Sequence, residues 1–236
     1  MTADKVFELR QYTLHGGQRD TLIALFEKSF VEPQNTVGAH VIGTFRDLND
    51  PDRFVWLRGF RDMATRQQAL ASFYGGPVWQ ANRAAANATI LDSDNVLLLR
   101  PAGEGLSSSP RANSHAGPDN IIGAAIYYLV SADATLFAQF FDEAVFPHLR
   151  SAGAQPVARL VTEETSNNFP RLPIREHDRT FVVLSRWANA SAENAFVARF
   201  AALSGWRDSA PESILPAFMR KPERLQLMPT GSSTLR

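Results

Sequence analysis

The chain repeats itself. Segment 6–14 (VFELRQYTL) aligns with 121–129 (IIGAAIYYL), which places Tyr12 on Tyr127. After a gap of one residue, 20–33 (DTLIALFEKSFVEP) aligns with 134–147 (ATLFAQFFDEAVFP), so Leu22, Phe26 and Pro33 fall on Leu136, Phe140 and Pro147. Segments 38–45 and 153–160 follow, then 53–60 (RFVWLRGF) with 180–187 (TFVVLSRW). Phe73 and Trp79 fall on Phe200 and Trp206, positions read as packing aromatics, and 95–101 falls on a segment ending in RLQLMP at 224–229. Such self-similarity means that one supersecondary unit occurs twice, and each copy must bury its apolar face against something.

Between the copies, 102–119 (AGEGLSSSPRANSHAGPD) has no hydrophobic period and reads as a flexible linker. The chain therefore divides into unit one at 1–101, the linker, and unit two at 120–236. Each unit reads β-α-β-β-α-β. Residues 6–14 alternate as a strand does, and Leu22, Phe26 and Phe30 recur at helical spacing, with Pro33 expected to end or bend that helix. Strands at 40–47 and 53–61 flank an Asn49-Asp50-Pro51-Asp52 turn. Residues 62–88 are helical with a break at Gly75-Gly76, and Pro77 suits a first helical position. In unit two the equivalent of the short turn is a longer connection, 165–178.

This order is the ferredoxin-like unit. It has helices on one face of its sheet, so the other face needs a cover. Two copies in one chain supply it, and the expected fold is an intramolecular α+β barrel that needs no second chain.

Charge narrows the partners. Lys plus Arg equals Asp plus Glu, and the balance holds within 1–101, with 11 of each sign. Non-specific nucleic-acid binding needs a basic field, and an anionic membrane surface needs a polybasic run; the sequence has neither. No apolar run approaches the ~20 residues of a membrane helix. The absence of Cys excludes thiolate catalysis and Cys-ligated zinc. It fits a reducing compartment, and with no apolar signal region before the first strand the expected location is the cytoplasm. Only three of 24 basic residues are Lys; a codon bias gives such a ratio, and so does a need for Arg in partly buried anion contacts.

Strand 6–14 places Glu8, Arg10 and Tyr12 on one face and Phe7 and Leu9 on the other. With the second set toward the helices, the first points into the shared interior, where Trp56, Arg58, His40 and Arg46 line the same space. A slip of one residue exchanges the faces. Two readings stay open: a buried Glu–Arg network that fixes barrel closure, or a polar pocket for a small ligand. His40 is the candidate acid/base, since imidazole titrates near ~6.5. Its counterpart is Gln155, so any such role belongs to one copy. No two His stand at i, i+4, so no metal site is expected, and no glycine-rich nucleotide loop or nucleophilic triad is present. No organic cofactor is expected; a haem would need an axial His or similar ligand, for which His148 or His177 could serve.

Glu8-Leu9-Arg10-Gln11-Tyr12-Thr13-Leu14, followed by Gly16 and Gly17, resembles the opening of the NIPSNAP family. Arg53–Phe60 with Arg61-Asp62, and Phe73-Tyr74-Gly75-Gly76-Pro77-Val78-Trp79, resemble it too. Unit two departs: Gly123 replaces Glu8, Ala125 replaces Arg10, and FAALSGW replaces FYGGPVW. The resemblance implies the dimeric α+β barrel fold, which also houses cofactor-free monooxygenases, muconolactone-isomerase-type enzymes and haem-handling enzymes. It implies no single reaction.

The expected function is binding of a small organic molecule in the barrel, with cofactor-independent monooxygenase- or isomerase-type chemistry on it. His40 would move the proton, Tyr12 and Arg10 polarise, Trp56 stack, and Glu8, Arg58 and Arg46 complete the wall. One site per chain is expected, on the unit-one side, with 165–178 as its cover. The alternative is a non-enzymatic scaffold that self-associates through sheet edges or helix faces, with a lumen filled by its own side chains.

Overall fold

The structure, a computed structural model, describes residues 3–103, 117, 119–129, 133–203 and 205–236, with the backbone alone at 206 and 207. Most of the linker and the side chain of Trp206 lie outside the described residues. Unit one runs β1 (Val6–Leu14), α1 (Arg19–Ser29), α2 (Val31–Thr36), β2 (His40–Asp47), β3 (Arg53–Phe60), α3 (Met63–Gly75), α4 (Pro77–Asn87), β4 (Ile90–Asp92) and β5 (Val96–Pro101). Unit two runs β6 (Ile121–Tyr128), α5 (Ala134–Phe140), a π-helical turn (Phe141–Val145), α6 (Phe146–Ser151), β7 (Gln155–Thr162), β8 (Thr180–Trp187), α7 (Ala190–Ala202), a 3-10 turn (Gly205–Ser209), α8 (Leu215–Met219) and β9 (Glu223–Pro229).

The strands form one antiparallel ring. Its order is β3-β2-β9-β6-β8-β7-β5-β1, closed by β1 against β3, while the short β4 sits beside β1 beyond the end of β5. Each unit lends its last strand to the other. β5 pairs with β7 through Leu99↔Thr162 and Arg100↔Val161, and β9 pairs with β2 through Leu227↔Asp47 and Met228↔Arg46. Even the irregularities repeat: β2 slips against β3 between Val41 and Gly43, and β7 slips against β8 between Pro156 and Ala158. Extra residues at those points bend the strands as closure of a barrel requires.

The lumen is full. Phe7, Leu9, Ile42, Phe45, Val55, Leu57, Leu97 and Leu99 from unit one meet Ile122, Ala124, Ile126, Ala158, Leu160, Val182, Leu184, Leu225 and Leu227 from unit two. A ring of this size leaves room for little beyond its own side chains. The faces expected for β1 are therefore exchanged. Phe7 and Leu9 fill the lumen, and Glu8, Arg10 and Tyr12 lie under the helices. The physical reason is partners: apart from the buried amide of Gln11 the lumen is lined by apolar side chains, while the helical side carries the groups that can satisfy buried charge.

The helices hold a second correction. The buried residues of the first helical arm are Leu22, Ile23, Phe26 and Phe30, and those of its counterpart are Phe137, Phe141 and Val145, so Leu22, Phe26 and Phe30 correspond to Phe137, Phe141 and Val145 with no gap after the strand. Leu136 is on the surface. The loop at the end of each arm confirms the ungapped match. Gly38 and Gly153 both take positive φ (90° and 98°), and Ala39 N–H donates to Gln34 O as Ala154 N–H donates to Leu149 O. Pro33 and Pro147 coincide only in sequence: each lies in the first turn of a short helix, where a missing N–H costs nothing. Pro33 thus bends the helical arm rather than ending it, since its ring would crowd the carbonyl four residues back, at Ser29, the last residue of α1. The chain breaks at Phe30 and resumes as α2.

This placement predicts that Phe137→Ala costs about 3–5 kcal/mol of stability, whereas Leu136→Ala stays within ~0.5–1 kcal/mol. Urea unfolding followed by circular dichroism distinguishes them; equal costs would return Leu136 to the core.

Candidate functional site

β1 and β3 are antiparallel neighbours, so Glu8 lies directly across from Arg58, Arg10 from Trp56, and Tyr12 from Phe54. Cross-strand neighbours of this kind touch. The Glu8 carboxylate accepts from Arg10 Nη1 at 2.8 Å and from Arg58 Nε and Nη2 at 2.9 and 2.6 Å. Its other oxygen accepts from Arg66 Nε, on α3, at 2.7 Å. All four side chains are at most 1 % exposed.

The outer ends of the arginines reach further groups. Arg10 Nε donates to Tyr12 Oη at 3.1 Å, and Arg58 Nη1 donates to Gln34 Oε1 at 2.7 Å. Arg66 Nη1 donates to Asn168 Oδ1 at 2.6 Å and to Asn167 Oδ1 at 3.1 Å. Both asparagines belong to the 163–179 connection between β7 and β8, so unit two reaches over the site of unit one. That connection is anchored to β5, where Arg175 N–H donates to Val96 O and Glu163 N–H to Leu98 O. Phe169 then stacks on Tyr74, with ring centres 6.2 Å apart. The corresponding turn of unit one, 48–52, is far shorter and lends no such cover.

Beside the cluster is a cavity of about 190 Å³. Half of its wall is aromatic: Tyr12, Phe26, Phe30, Trp56, Phe73, Tyr74, Trp79 and Phe169, with Gln34, Ala86, Ser93 and Arg171 among the rest. The rings meet edge to face, as Tyr12 does with Trp56 and Phe26 with Trp56, which fixes the wall. The Arg58 guanidinium lies 4.9 Å from the Trp56 ring centre and that of Arg10 5.6 Å, so the ring's π face carries part of their charge.

Electrostatics set the protonation states. Burial opposes the charge on Glu8, but Arg58, Arg10 and Arg66 outweigh it and hold the carboxyl well below its ordinary range. Burial pushes the Tyr12 phenol up, against the pull of Arg10, so Tyr12 stays protonated. Its oxygen accepts from Arg10, which leaves its own hydrogen to donate. Trp56 Nε1 and Arg66 Nη2 are buried donors with no hydrogen-bond partner among the described residues.

The structure thus brings together Glu8, Arg10, Tyr12, Trp56 and Arg58, on the helical side of the sheet. It does not bring His40 or Arg46 to them. His40 is half exposed at the start of β2 and shares its Nδ1 with the buried carboxylate of Asp4 at 2.9 Å. Arg46 pairs with exposed Asp20 at 2.7 Å. His148 and His177 are exposed on α6 and on the long connection. Among the described residues no group of three or more His, Cys, Asp or Glu could hold a metal ion.

Arg66, Gln34, Tyr74 and the loop residues Asn167, Asn168, Phe169 and Arg171 were missed from sequence. Two of them left a signal. Arg66 begins the stripe Arg66, Ala69, Leu70, Phe73, and Gln34 ends the stripe Phe26, Phe30, Gln34. A polar residue on an apolar stripe marks a buried polar partner. The loop residues left only the extra length of 165–178, read as a cover of the site; their individual roles left no signal, because their partners lie about a hundred positions away.

The same face of unit two is different. Gly123, Ala125 and Ser185 stand for Glu8, Arg10 and Arg58, and Glu193 on α7 stands for Arg66. Glu193 fills the space over Gly123, where a Cβ would collide with its carboxylate and with the Trp187 indole. It pairs with Arg224 at 3.4 Å, and only about 30 Å³ stays empty.

The NIPSNAP family profile matches residues 7–103. No curated protein matches the chain. Two solved structures share the whole architecture. One, from Lactobacillus acidophilus and provisionally named a monooxygenase, is 13 % identical over 96 % of this chain and 94 % of its own, with a TM-score of 0.57. The other, from Fusobacterium nucleatum and named likewise, is 8 % identical over 97 % of this chain and 94 % of its own, also at 0.57. At these identities the likeness is one of fold. Among the described residues no helix is long and apolar enough to cross a membrane.

Glu8→Gln leaves three buried guanidiniums without their counter-charge and is expected to cost about 3–5 kcal/mol. The pH dependence has a fixed sign. Glu8 is depressed in the folded state, so its contribution is complete above the ordinary 4.5 and is lost as pH falls below it. Urea midpoints of wild type and Glu8→Gln measured from pH 7 down to 3 should converge; parallel curves would contradict an ionised Glu8.

Proposed function

We propose that this chain, whose first unit matches the NIPSNAP profile, binds a small, largely apolar organic molecule in the cavity between sheet and helices of that unit. Tyr12 would hydrogen-bond and polarise an oxygen on it. One observation carries the reading: an aromatic-walled cavity whose phenol is committed as acceptor to Arg10 and free as donor. At about 190 Å³ the space exceeds the ~150 Å³ that admits benzene to an engineered cavity. It suits one substituted ring or a fused pair. A filled lumen was the expectation for a scaffold protein, and the lumen is filled. The cavity outside the lumen favours binding instead.

A monooxygenase reading rests on the names of the two fold relatives and on one feature of this chain. Donors backed by guanidinium charge stabilise an enolate or phenolate, the electron-rich form that reacts with dioxygen directly. An activated methylene then becomes a ketone: one atom of dioxygen forms the new carbonyl, and the other leaves as water with the two methylene hydrogens. The cavity wall holds neither His nor carboxylate, so His40 takes no part and the substrate's proton must leave to solvent. Binding with polarisation is the reading the wall supports best.

Calorimetric titration with neutral 2-naphthol tests it, alongside the indole N–H resonances of the tryptophans. Saturable binding that shifts Trp56 and Trp79, and is lost in Ala86→Phe, is expected. No saturable heat, or equal binding by a folded Ala86→Phe, would overturn it.

A further inference from the structure

We propose that the ligand of this cavity is a small aromatic acid bound as its anion, whose charge completes the Glu8–Arg10–Arg58–Arg66 cluster. The inference rests on the cavity reading above and adds the sign of the ligand's charge.

The cluster is out of balance. One carboxylate serves three guanidiniums, and no other carboxylate ion-pairs any of the three among the described residues, which leaves two formal positive charges buried. Buried charge without a partner is costly, and chains that keep it usually neutralise it with a counter-ion or ligand. Asp4, the nearest buried carboxylate in sequence, is engaged with His40. Arg66 keeps one guanidinium nitrogen without any acceptor.

Two of the guanidiniums reach the cavity wall through one intermediary each. Arg10 donates to the Tyr12 oxygen and Arg58 to the Gln34 amide oxygen. Both intermediaries line the cavity and each retains one donor, the phenol O–H of Tyr12 and the second amide N–H of Gln34, whose first is donated to Phe30 O at 3.2 Å. A donor whose own acceptor end is held by a cation is polarised toward an anion. A third cation comes from unit two: Arg171 lines the same cavity, is exposed, and forms no ion pair among the described residues. The wall is thus half aromatic, three cations stand at or behind it, and no lining residue is acidic.

Unit two supplies the internal contrast. There the positions of Arg10 and Arg58 hold Ala125 and Ser185, that of Arg66 holds Glu193, and the cavity shrinks to about 30 Å³. Where the three clustered guanidiniums are absent, and the one cation present, Arg224, is paired with Glu193, most of the space is absent too.

Calorimetry at pH 7 with 2-naphthoate and 2-naphthamide, two probes of one shape and different charge, tests the proposal. Naphthoate should bind about tenfold tighter. Arg171→Gln, on an exposed loop residue that does not hold the core, should weaken naphthoate about threefold and naphthamide by less. Tyr12→Phe should narrow the gap further. Equal or tighter binding of the amide overturns the inference and leaves the cavity reading standing. So does a naphthoate advantage that survives both substitutions. If neither probe binds, the cavity reading falls and this inference with it.

Discussion

One carboxylate holds the unit-one face together. Glu8 bonds guanidiniums from its own strand, from the neighbouring strand and from a helix at 2.6–2.9 Å. Through Arg66 it reaches Asn167 and Asn168 of unit two, and through Arg58 it reaches Gln34 on α2. Strand, helix and covering loop are thereby placed by charge-assisted bonds whose geometry is directional. A hydrophobic cluster of the same volume would pack as well, but it would not fix the loop of one unit over the face of the other.

Duplication divides the labour of the barrel. Both units contribute aliphatic rows to the lumen, and each row has its counterpart: Phe7 and Ile122, Leu9 and Ala124, Val55 and Val182, Leu57 and Leu184, Leu99 and Leu227. A shared space constrains both copies alike. The faces under the helices are private, and there the copies have diverged. Unit one carries the charged cluster and a cavity; unit two closes its face with Glu193, Trp187 and Phe196. The long connection between β7 and β8 makes the division one-sided, since it covers only the unit-one face.

That contrast also explains what the sequence made legible. The repeat, the strand order and the barrel could be read from it, because alternation and the need to cover a sheet face leave few arrangements. The grouping of Glu8, Arg10, Tyr12, Trp56 and Arg58 was legible from period-two spacing alone. Their side of the sheet was not, because alternation is the same for both faces. The decisive signal lay in the comparison of copies: the parity that stays apolar in both, Gln11 excepted, is the lumen, and the parity that changes is the private face. His40 and Arg46 share a strand with lumen residues, yet they lie at its solvent ends, paired to Asp4 and Asp20. Arg66 and Asn168 lie 102 positions apart, and no local pattern joins them.

Glu8 is ionised while fully buried among three guanidiniums that it does not neutralise. Carbon-13 NMR of glutamate-labelled protein reads that carboxyl directly, with Glu8 assigned by its loss in Glu8→Gln. The Glu8 side-chain carboxyl resonance is expected to stay at the ionised shift at every pH where the protein remains folded. A resonance that titrates at or above the ordinary 4.5 would contradict that charge state.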